Sequence, residues 1–381
     1  MLMKVLHIGK YYPPIVGGME SITKFVVDAL PHARHTVVSF NRTNKSVAEH
    51  HGNTVVIRDA ISGVVANQPI SFRYLKDICR VLTNDKPDVV HIHFPNPWSA
   101  FCLLLNKKRY KLIVHWHFDV FAQKYLSKIV KPIETLVLKR ADAIIVTSPG
   151  YMDFSKNLKP FKNKLSLIPC SINEDSFSIK GDNDKIHKIK QHYQGKKIVL
   201  FIGRHVKYKG LRYLLEAEKL VKGDCVFLIG GTGPLTKSLK EEFTSDRILW
   251  LGMLSDNELR HYYHAADIFA FPSITPNEAF GVALAEAMYC ECPAVTFTIP
   301  HSGVNWVSVN NLTGLQVDNI DIRQYAAAID RLLIDEELRV RLGHNAKERV
   351  MGLFSKNIIS KKYSDLYDSM LQKSHPDNEQ P

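Results

Sequence analysis

The chain has 381 residues, 45% of them hydrophobic and 23% charged, a balance that suits a soluble globular protein of two or three domains and excludes a disordered or fibrous one. No apolar run approaches the ~18 residues a membrane-spanning helix needs. The opening Met1-Leu-Met-Lys is too short and polar for a secretory signal, so a spanning or secreted protein is not expected.

The charge is unevenly placed. Residues 1–180 hold 25 Lys and Arg against 13 Asp and Glu, whereas residues 181–381 hold 25 of each. The whole formal excess of +12 therefore lies in the first half. Such a skew points the N-terminal half at something anionic, a phospholipid surface or nucleic acid. The six cysteines are scattered and form no CxxC pair, which reads as small core residues in a reducing compartment.

In chain order, strand-like runs fall at Lys4–Lys10, His35–Phe40, Thr54–Asp59, Asp88–Phe94, Lys111–His117, Ala143–Ser148 and Leu165–Cys170. A second series follows at Ile198–Arg204, Cys225–Gly231, Ile248–Gly252, Ile268–Ser273 and Pro293–Thr298. Amphipathic stretches such as Gly210–Val221 and Ala279–Cys290 fill the gaps. Nearly continuous apolar strands alternating with helices predict parallel sheets covered on both faces. The expected organisation is an α/β chain of two Rossmann-like, doubly wound domains facing a central cleft: 1–175, a polar linker over 176–195, and 196–353. A helix over 354–372 crosses back to the first domain, and 373–381 is a tail.

Open α/β sheets bind ligands outside the carboxyl ends of their strands, so the residues to read are those that end a strand and open a helix. The first such turn, Tyr11 to Glu20, carries Gly17 and Gly18 ahead of a helix whose free N–H groups can hold a phosphate. The run Leu112-Ile-Val-His-Trp-His-Phe-Asp119 puts His115 and His117 on one side of a strand, with His117 at its end. His91 and His93 repeat the pattern as pocket wall or core. Spacing supplies no third ligand for a metal.

The second half is sharper. Arg204 and Lys209, five residues apart at a strand end, suit a diphosphate clamp. Gly230-Gly-Thr-Gly-Pro234 is another strand-to-helix turn but lacks the full dinucleotide fingerprint. Glu278 opens a helix and Glu286 follows eight residues later, two carboxylates in an apolar stretch that sugar hydroxyls would satisfy.

Together these residues resemble a known family, the retaining GT-B glycosyltransferases of family four. The motifs GGME, VHWHFD, RADAIIVTSP, GRHVKYKG, GGTGP, HAADIFAFPS, NEAFGVALAEAM and NNLTGL span nearly the whole chain in the family's order. VHWHFD and SGVNWV look most like bacterial O-antigen and exopolysaccharide enzymes, many of them mannosyltransferases. The resemblance implies that Arg204 and Lys209 grip the donor diphosphate and that Glu278 contacts the transferred sugar. It gives Glu286 the ribose hydroxyls and His117 a hydrogen bond to the sugar. The backbone of Phe280, Gly281 and Val282 would meet the phosphates, and Gly18 would sit beside phosphate and acceptor. The sequence departs from the family pattern at Cys290-Glu-Cys-Pro293 and at Gly303-Val-Asn-Trp-Val, which lacks a common acidic residue.

The implied activity is retaining transfer of a sugar, mannose from GDP-mannose, onto a lipid-linked glycan acceptor in O-antigen or related biosynthesis. No cofactor and no essential metal are expected. The only DxD, Asp182-Asn-Asp184, reads as a solvated loop. The expected location is cytoplasmic, peripheral on the inner face of the membrane. The segment Phe121–Arg140, with Lys124, Lys128 and Lys131 among apolar residues and broken by Pro132, is the expected docking element. A UDP-sugar transferase and, from another class, a basic nucleic-acid-binding module are the alternatives.

Overall fold

Alternating apolar runs and turns build two sheets in the computed structural model, which describes residues 2–372 except 16, 66–67, 108, 120–125 and 180–182. The chain divides into two units. The first comprises residues up to Thr147, Met152–Pro169 and Ile359 onward; the second comprises Ser148–Tyr151 and Cys170–Ile358.

The first unit holds β1 (Lys4–Ile8), β2 (Arg34–Phe40), β3 (Val47–His51), β4 (Thr54–Asp59), β5 (Gly63–Val65), β6 (Gln68–Ile70), β7 (Val89–Phe94), β8 (Lys111–Trp116), β9 (Ala143–Val146) and β10 (Leu165–Leu167). Eight of these form one sheet in the order β10-β9-β8-β7-β1-β2-β4-β3, parallel except for β3, which folds back on β4. The separate β5–β6 hairpin is two-stranded. Neither β3 nor this hairpin is among the predicted strands, because they are short, mostly exposed and give no extended apolar run. Helices α1 (Gly18–Asp28), α2 (Phe72–Arg80), α3 (Pro97–Leu105) and α4 (Leu126–Arg140) accompany the sheet. Ser71 and Asn96 cap α2 and α3 by accepting from the backbone N–H three residues on. Helix α4 runs through Pro132 rather than breaking there. Residues 121–125 and 182, which carry part of the expected docking segment and of the DxD, lie outside the described residues.

The second unit has β11 (Lys197–Ile202), β12 (Cys225–Gly230), β13 (Ile248–Gly252), β14 (Ile268–Phe271), β15 (Ala294–Phe297) and β16 (Gly314–Val317), all parallel in the order β13-β12-β11-β14-β15-β16. Counted from its own first strand this is 3-2-1-4-5-6, the doubly wound order, whose switch point lies between β11 and β14. Strand β16, four residues with a glycine and a glutamine, is too short to be read from sequence.

The expected linker is not a linker. After a short α5 (Pro149–Phe154) and α6 (Glu174–Phe177), the segment forms α7 (Asn183–His192), which packs on α10 (Asp256–Ala265) of the second unit. Its polar composition reflects an exposed helix, with none of its residues buried. The unit boundary falls at Pro169, ahead of the expected 175. Helices α8 (Leu211–Glu218), α9 (Thr236–Glu242), α11 (Val282–Tyr289), α12 (Val304–Val307), α13 (Ile322–Ile334) and α14 (Glu336–Leu353) complete the second unit. The last helix, α15 (Lys356–Gln372), gives its residues from Ile359 to the first.

Candidate active site

The switch point of the second sheet is where a crevice must open, and the turns after β11 and β14 are the ones that carry Lys209 and Glu278. After β11 the chain passes through Gly203 and Arg204, makes a 3-10 turn at Lys207–Lys209, and enters α8 at Gly210. Gly210 has φ +67°, and a Cβ there would lie 1.8 Å from the Pro272 carbonyl oxygen. Only glycine lets these two turns close on each other.

That approach brings Lys209 Nζ to 2.5 Å from Glu278 Oε2. The Ser273 hydroxyl donates to the same carboxylate oxygen at 3.0 Å, and Ser302 Oγ donates to the Glu278 carbonyl at 2.6 Å. Lys209 Nζ also stands 5.1 Å over the Phe271 ring. Burial alone would push the Lys209 pKa down, but the Glu278 carboxylate outweighs it and the pKa is raised. The ammonium therefore stays charged in a partly dry setting.

Arg204 is exposed, and among the described residues no carboxylate pairs with it. Its loop is stitched to the Gly230–Pro234 turn by His205 N–H donating to the Thr232 carbonyl at 3.1 Å and by Leu235 N–H donating to the His205 carbonyl at 3.1 Å. The cation is thus mounted on a braced loop.

Helix α11 begins one turn later than predicted because Gly281, at φ +91°, is its N-cap. No side chain caps it, so its first N–H groups remain free for an anion. Phe280 is buried against Phe354 and Trp306, ring centroids 5.1 and 6.3 Å away, so it offers only its backbone. Val282 is half-buried on the first turn. Glu286 sits apart from the Lys209–Glu278 pair. It accepts from the Tyr263 hydroxyl at 3.0 Å, and burial raises its pKa to about 7.

In the first unit, His117 is 5% exposed and bonds through Nε2 to His93 Nδ1 at 3.0 Å. Burial lowers its pKa to about 3, so it is a neutral imidazole at pH 7. His91 and His93 are core residues. Asp119 of the same motif accepts from the Trp116 indole N–H at 2.8 Å and from Ser155 at 2.9 Å, which makes it a structural acceptor. Gly18 opens α1, and a Cβ there would meet nothing within 4 Å. The turn is nevertheless not a bare anion cradle. The Glu20 carboxylate folds back over Gly17, where a Cβ would come within 2.2 Å of its Oε2, and burial raises its pKa.

Sequence reasoning missed Ser273, Ser302, Tyr263 and Glu20. Ser273 alone carried a signal, since it lies two residues past the end of β14 on the crevice-forming turn.

The comparisons agree with this geometry. Residues 16–176 match the model described as Glycosyltransferase Family 4, and residues 182–349 match Glycosyl transferases group 1. The chain is 26% identical over 376 residues to the O-antigen chain mannosyltransferase C of Escherichia coli, covering 97% of this chain and 99% of that one. It is 26% identical over 360 residues to the D-rhamnosyltransferase WbpZ of Pseudomonas aeruginosa, covering 93% and 92%. Among solved structures, the sucrose-phosphate synthase of Thermosynechococcus elongatus superposes with a TM-score of 0.82 at 21% identity, covering 97% of this chain and all of that one. Two doubly wound units with this switch-point site define a GT-B glycosyltransferase. The chain belongs to the family 4 and group 1 glycosyltransferases, and the nucleic-acid-binding alternative falls away.

Proposed function

We propose that this enzyme transfers mannose from GDP-mannose, with retention of configuration, onto a lipid-linked glycan in O-antigen or related surface polysaccharide assembly. The observation that carries the proposal is the Lys209–Glu278 pair at the β11/β14 switch point. Breaking a glycosyl–phosphate bond builds negative charge on the leaving diphosphate, and fixed cations and helix starts in a dry site stabilise it. A bound diphosphate takes the Lys209 ammonium together with Arg204 and the N–H groups at Gly281 and Val282. Glu278, released from Lys209 but still held by Ser273, then accepts from a sugar hydroxyl. Glu286 takes the ribose hydroxyls, and neutral His117 bonds the sugar. The mannosyl and rhamnosyl activities named for the two relatives favour a hexose donor of this type. A UDP-sugar is the second reading.

The test is turnover of a panel of nucleotide sugars on a polyprenyl-diphosphate glycan, with and without EDTA. GDP-mannose is expected to react and EDTA to leave the rate unchanged, because the cation pair supplies the charge a catalytic metal would. Turnover with UDP-sugars alone moves the enzyme to the second reading, and loss with EDTA restored by Mg²⁺ overturns metal-free catalysis.

The acceptor reading includes peripheral docking of the first unit on the inner face of an anionic membrane. Among the described residues no helix is long and apolar enough to cross one. Beside the expected Phe121–Arg140 segment, whose side chains over 121–129 lie outside the described residues, α3 offers a second surface that supports docking. Trp98, Phe101 and Leu105 recur at helical spacing, with Phe101 and Leu105 exposed, and exposed Phe72 meets Trp98 edge-on at 6.1 Å. Lys107 and Arg109 follow directly. Apolar side chains beside cations suit an anionic bilayer surface, at ~1 kcal/mol per cation. Co-sedimentation with anionic but not neutral vesicles is expected, weakened about tenfold or more by Phe101→Glu with Leu105→Glu. Equal binding by the variant would remove α3 from the reading.

A further inference from the structure

One face of the first unit's sheet is lined with histidine. His7 on β1, His35 on β2, His91 and His93 on β7 and His115 on β8 are each at most 2% exposed. The parallel register sets His7 beside His91 and His93 beside His115. Sequence spacing offers only the pairs two residues apart on a strand; the register adds the third member.

Three of these rings converge. His7, His91 and His93 each bring one ring nitrogen within 4.8 Å of the others. Each also keeps one buried nitrogen with no hydrogen-bond partner: Nδ1 of His7, Nε2 of His91 and Nε2 of His93. The opposite nitrogen of every ring is engaged. His7 Nε2 meets His35 Nδ1 at 3.0 Å, His91 Nδ1 meets the Tyr367 hydroxyl at 2.6 Å, and His93 Nδ1 meets His117 Nε2 at 3.0 Å.

One of these bonds can be given a direction. His35 Nε2 lies 2.9 Å from the Leu30 carbonyl, which can only accept, so that nitrogen carries the hydrogen. In a neutral ring His35 Nδ1 is then the acceptor, and His7 Nε2 must donate to it. His7 Nδ1 is left as a bare lone pair in the interior. The bonds to Tyr367 and His117 allow the same tautomer at His91 and His93. Unpaired nitrogens on three neighbouring rings in a dry core are costly, at roughly 1–3 kcal/mol for each unsatisfied group. A cation with an affinity for imidazole removes that cost. Because the His91 and His93 rings stack 4.7 Å apart and nearly parallel, one of them must turn for both to face a common cation.

We propose that His7, His91 and His93 form a buried transition-metal site, for Zn²⁺ or copper, that touches the proposed sugar-transfer residues only through the His93–His117 bond. His35, Tyr367 and His117 are the outer partners that fix the ring orientations, the arrangement that metal-ligating histidines use. His115, with both ring nitrogens buried and unpartnered and its ring 5.1 Å from His93 and 5.5 Å from His91, lies beside these rings but clusters with His93 and His117 rather than with His7 and His91. The donor set is neutral imidazole throughout, which suits zinc and copper and disfavours Mg²⁺ and Ca²⁺. A site this enclosed loads as the unit folds, and EDTA added to folded enzyme would not reach it.

The test uses the full chain, unfolded in guanidinium with chelator and refolded with Zn²⁺, with Cu⁺ under reductant, or with EDTA. Gel filtration in EDTA then strips surface-bound ions before metal analysis and thermal melting. Roughly one metal per chain and a raised melting temperature are expected for one of the two ions. Co²⁺ refolding should give the intense visible absorption of a low-coordinate site. The His91→Asn, His93→Gln variant should retain no metal, and His50→Gln with His51→Gln, exposed residues, should retain all of it. If the ligand variant does not fold, Tyr367→Phe keeps every ligand and should bind the metal ~10–100-fold more weakly. Folded wild type that holds under about a tenth of an equivalent after each refolding, with unchanged melting, overturns the site. So does full retention by the folded ligand variant.

Discussion

The two sheets are built to the same parallel plan and filled with opposite materials. In the second unit, Val199, Phe201, Phe227, Ile229, Phe269 and Phe271 pack a dry interior, and the chemistry is confined to turns beyond the strand ends. In the first, histidines take core positions beside Val, Ile and Leu and bond to one another in pairs across the strands. A parallel sheet thus accepts polar side chains when the register lets them partner each other, and it then carries chemistry within its layer as well as at its rim.

The largest effect belongs to the rim of the dry sheet. Lys209→Ala should cut turnover about 10²–10³-fold, the ~2.7–4 kcal/mol typical of one lost charge-stabilising donor. It should also lower the melting temperature, because Glu278 keeps its place beside Ser273 without its counter-ion. Steady-state kinetics and thermal melts of the purified variant check both. Unchanged turnover would detach catalysis from the switch point.

A matched pair of substitutions sharpens the contrast between the layers. Tyr325 of the second unit and Tyr367 of the first are both fully buried, and their hydroxyls bond to the Val295 carbonyl at 2.7 Å and to His91 at 2.6 Å. Either Tyr→Phe change should cost about 1–3 kcal/mol in denaturant unfolding. Only Tyr367→Phe should also loosen a metal. If both variants differ from wild type in stability alone, the first sheet is as inert as the second.

The smallest effect is a pH dependence in the second unit. Burial raises the Glu286 pKa to about 7, above the 4.5 of an ordinary glutamate. A carboxyl raised in this way favours the folded state at lower pH, and that contribution is lost as pH climbs through about 7. Ionised, it can accept two ribose hydroxyls; protonated, it gives up part of that capacity. Nucleotide affinity measured by calorimetry should therefore strengthen severalfold from pH 6 to 8 in wild type and stay flat in Glu286→Gln. The opposite slope would take Glu286 out of the ribose site.

Much of this was readable beforehand, and for one reason. The two-unit plan and Lys209 and Glu278 follow from apolar strands whose last residues turn into helices, a local pattern. The rest depends on pairing between distant segments. Nothing near Glu20 signals that its carboxylate covers Gly17, and nothing near His91 signals that His7 is its neighbour. The polar segment expected as a linker is a surface helix, which composition alone does not separate from a loop. The boundary at Pro169 and the return of Ile359 to the first unit are likewise long-range facts.

That return sets the order in which the protein can be made. Strands β1 to β10 are translated by Leu167, yet Tyr367, which closes over His91, is translated only after the whole second unit. At ~5–20 residues per second the gap is roughly 10–40 seconds. During that interval the histidine layer has no lid, and ions or water can enter a space that is afterwards sealed. The second unit, by contrast, has all but its last few residues before α15 begins and can fold as an insertion within an unfinished first unit. A released chain truncated just before α15 should accordingly contain one nearly complete unit, and it is the second.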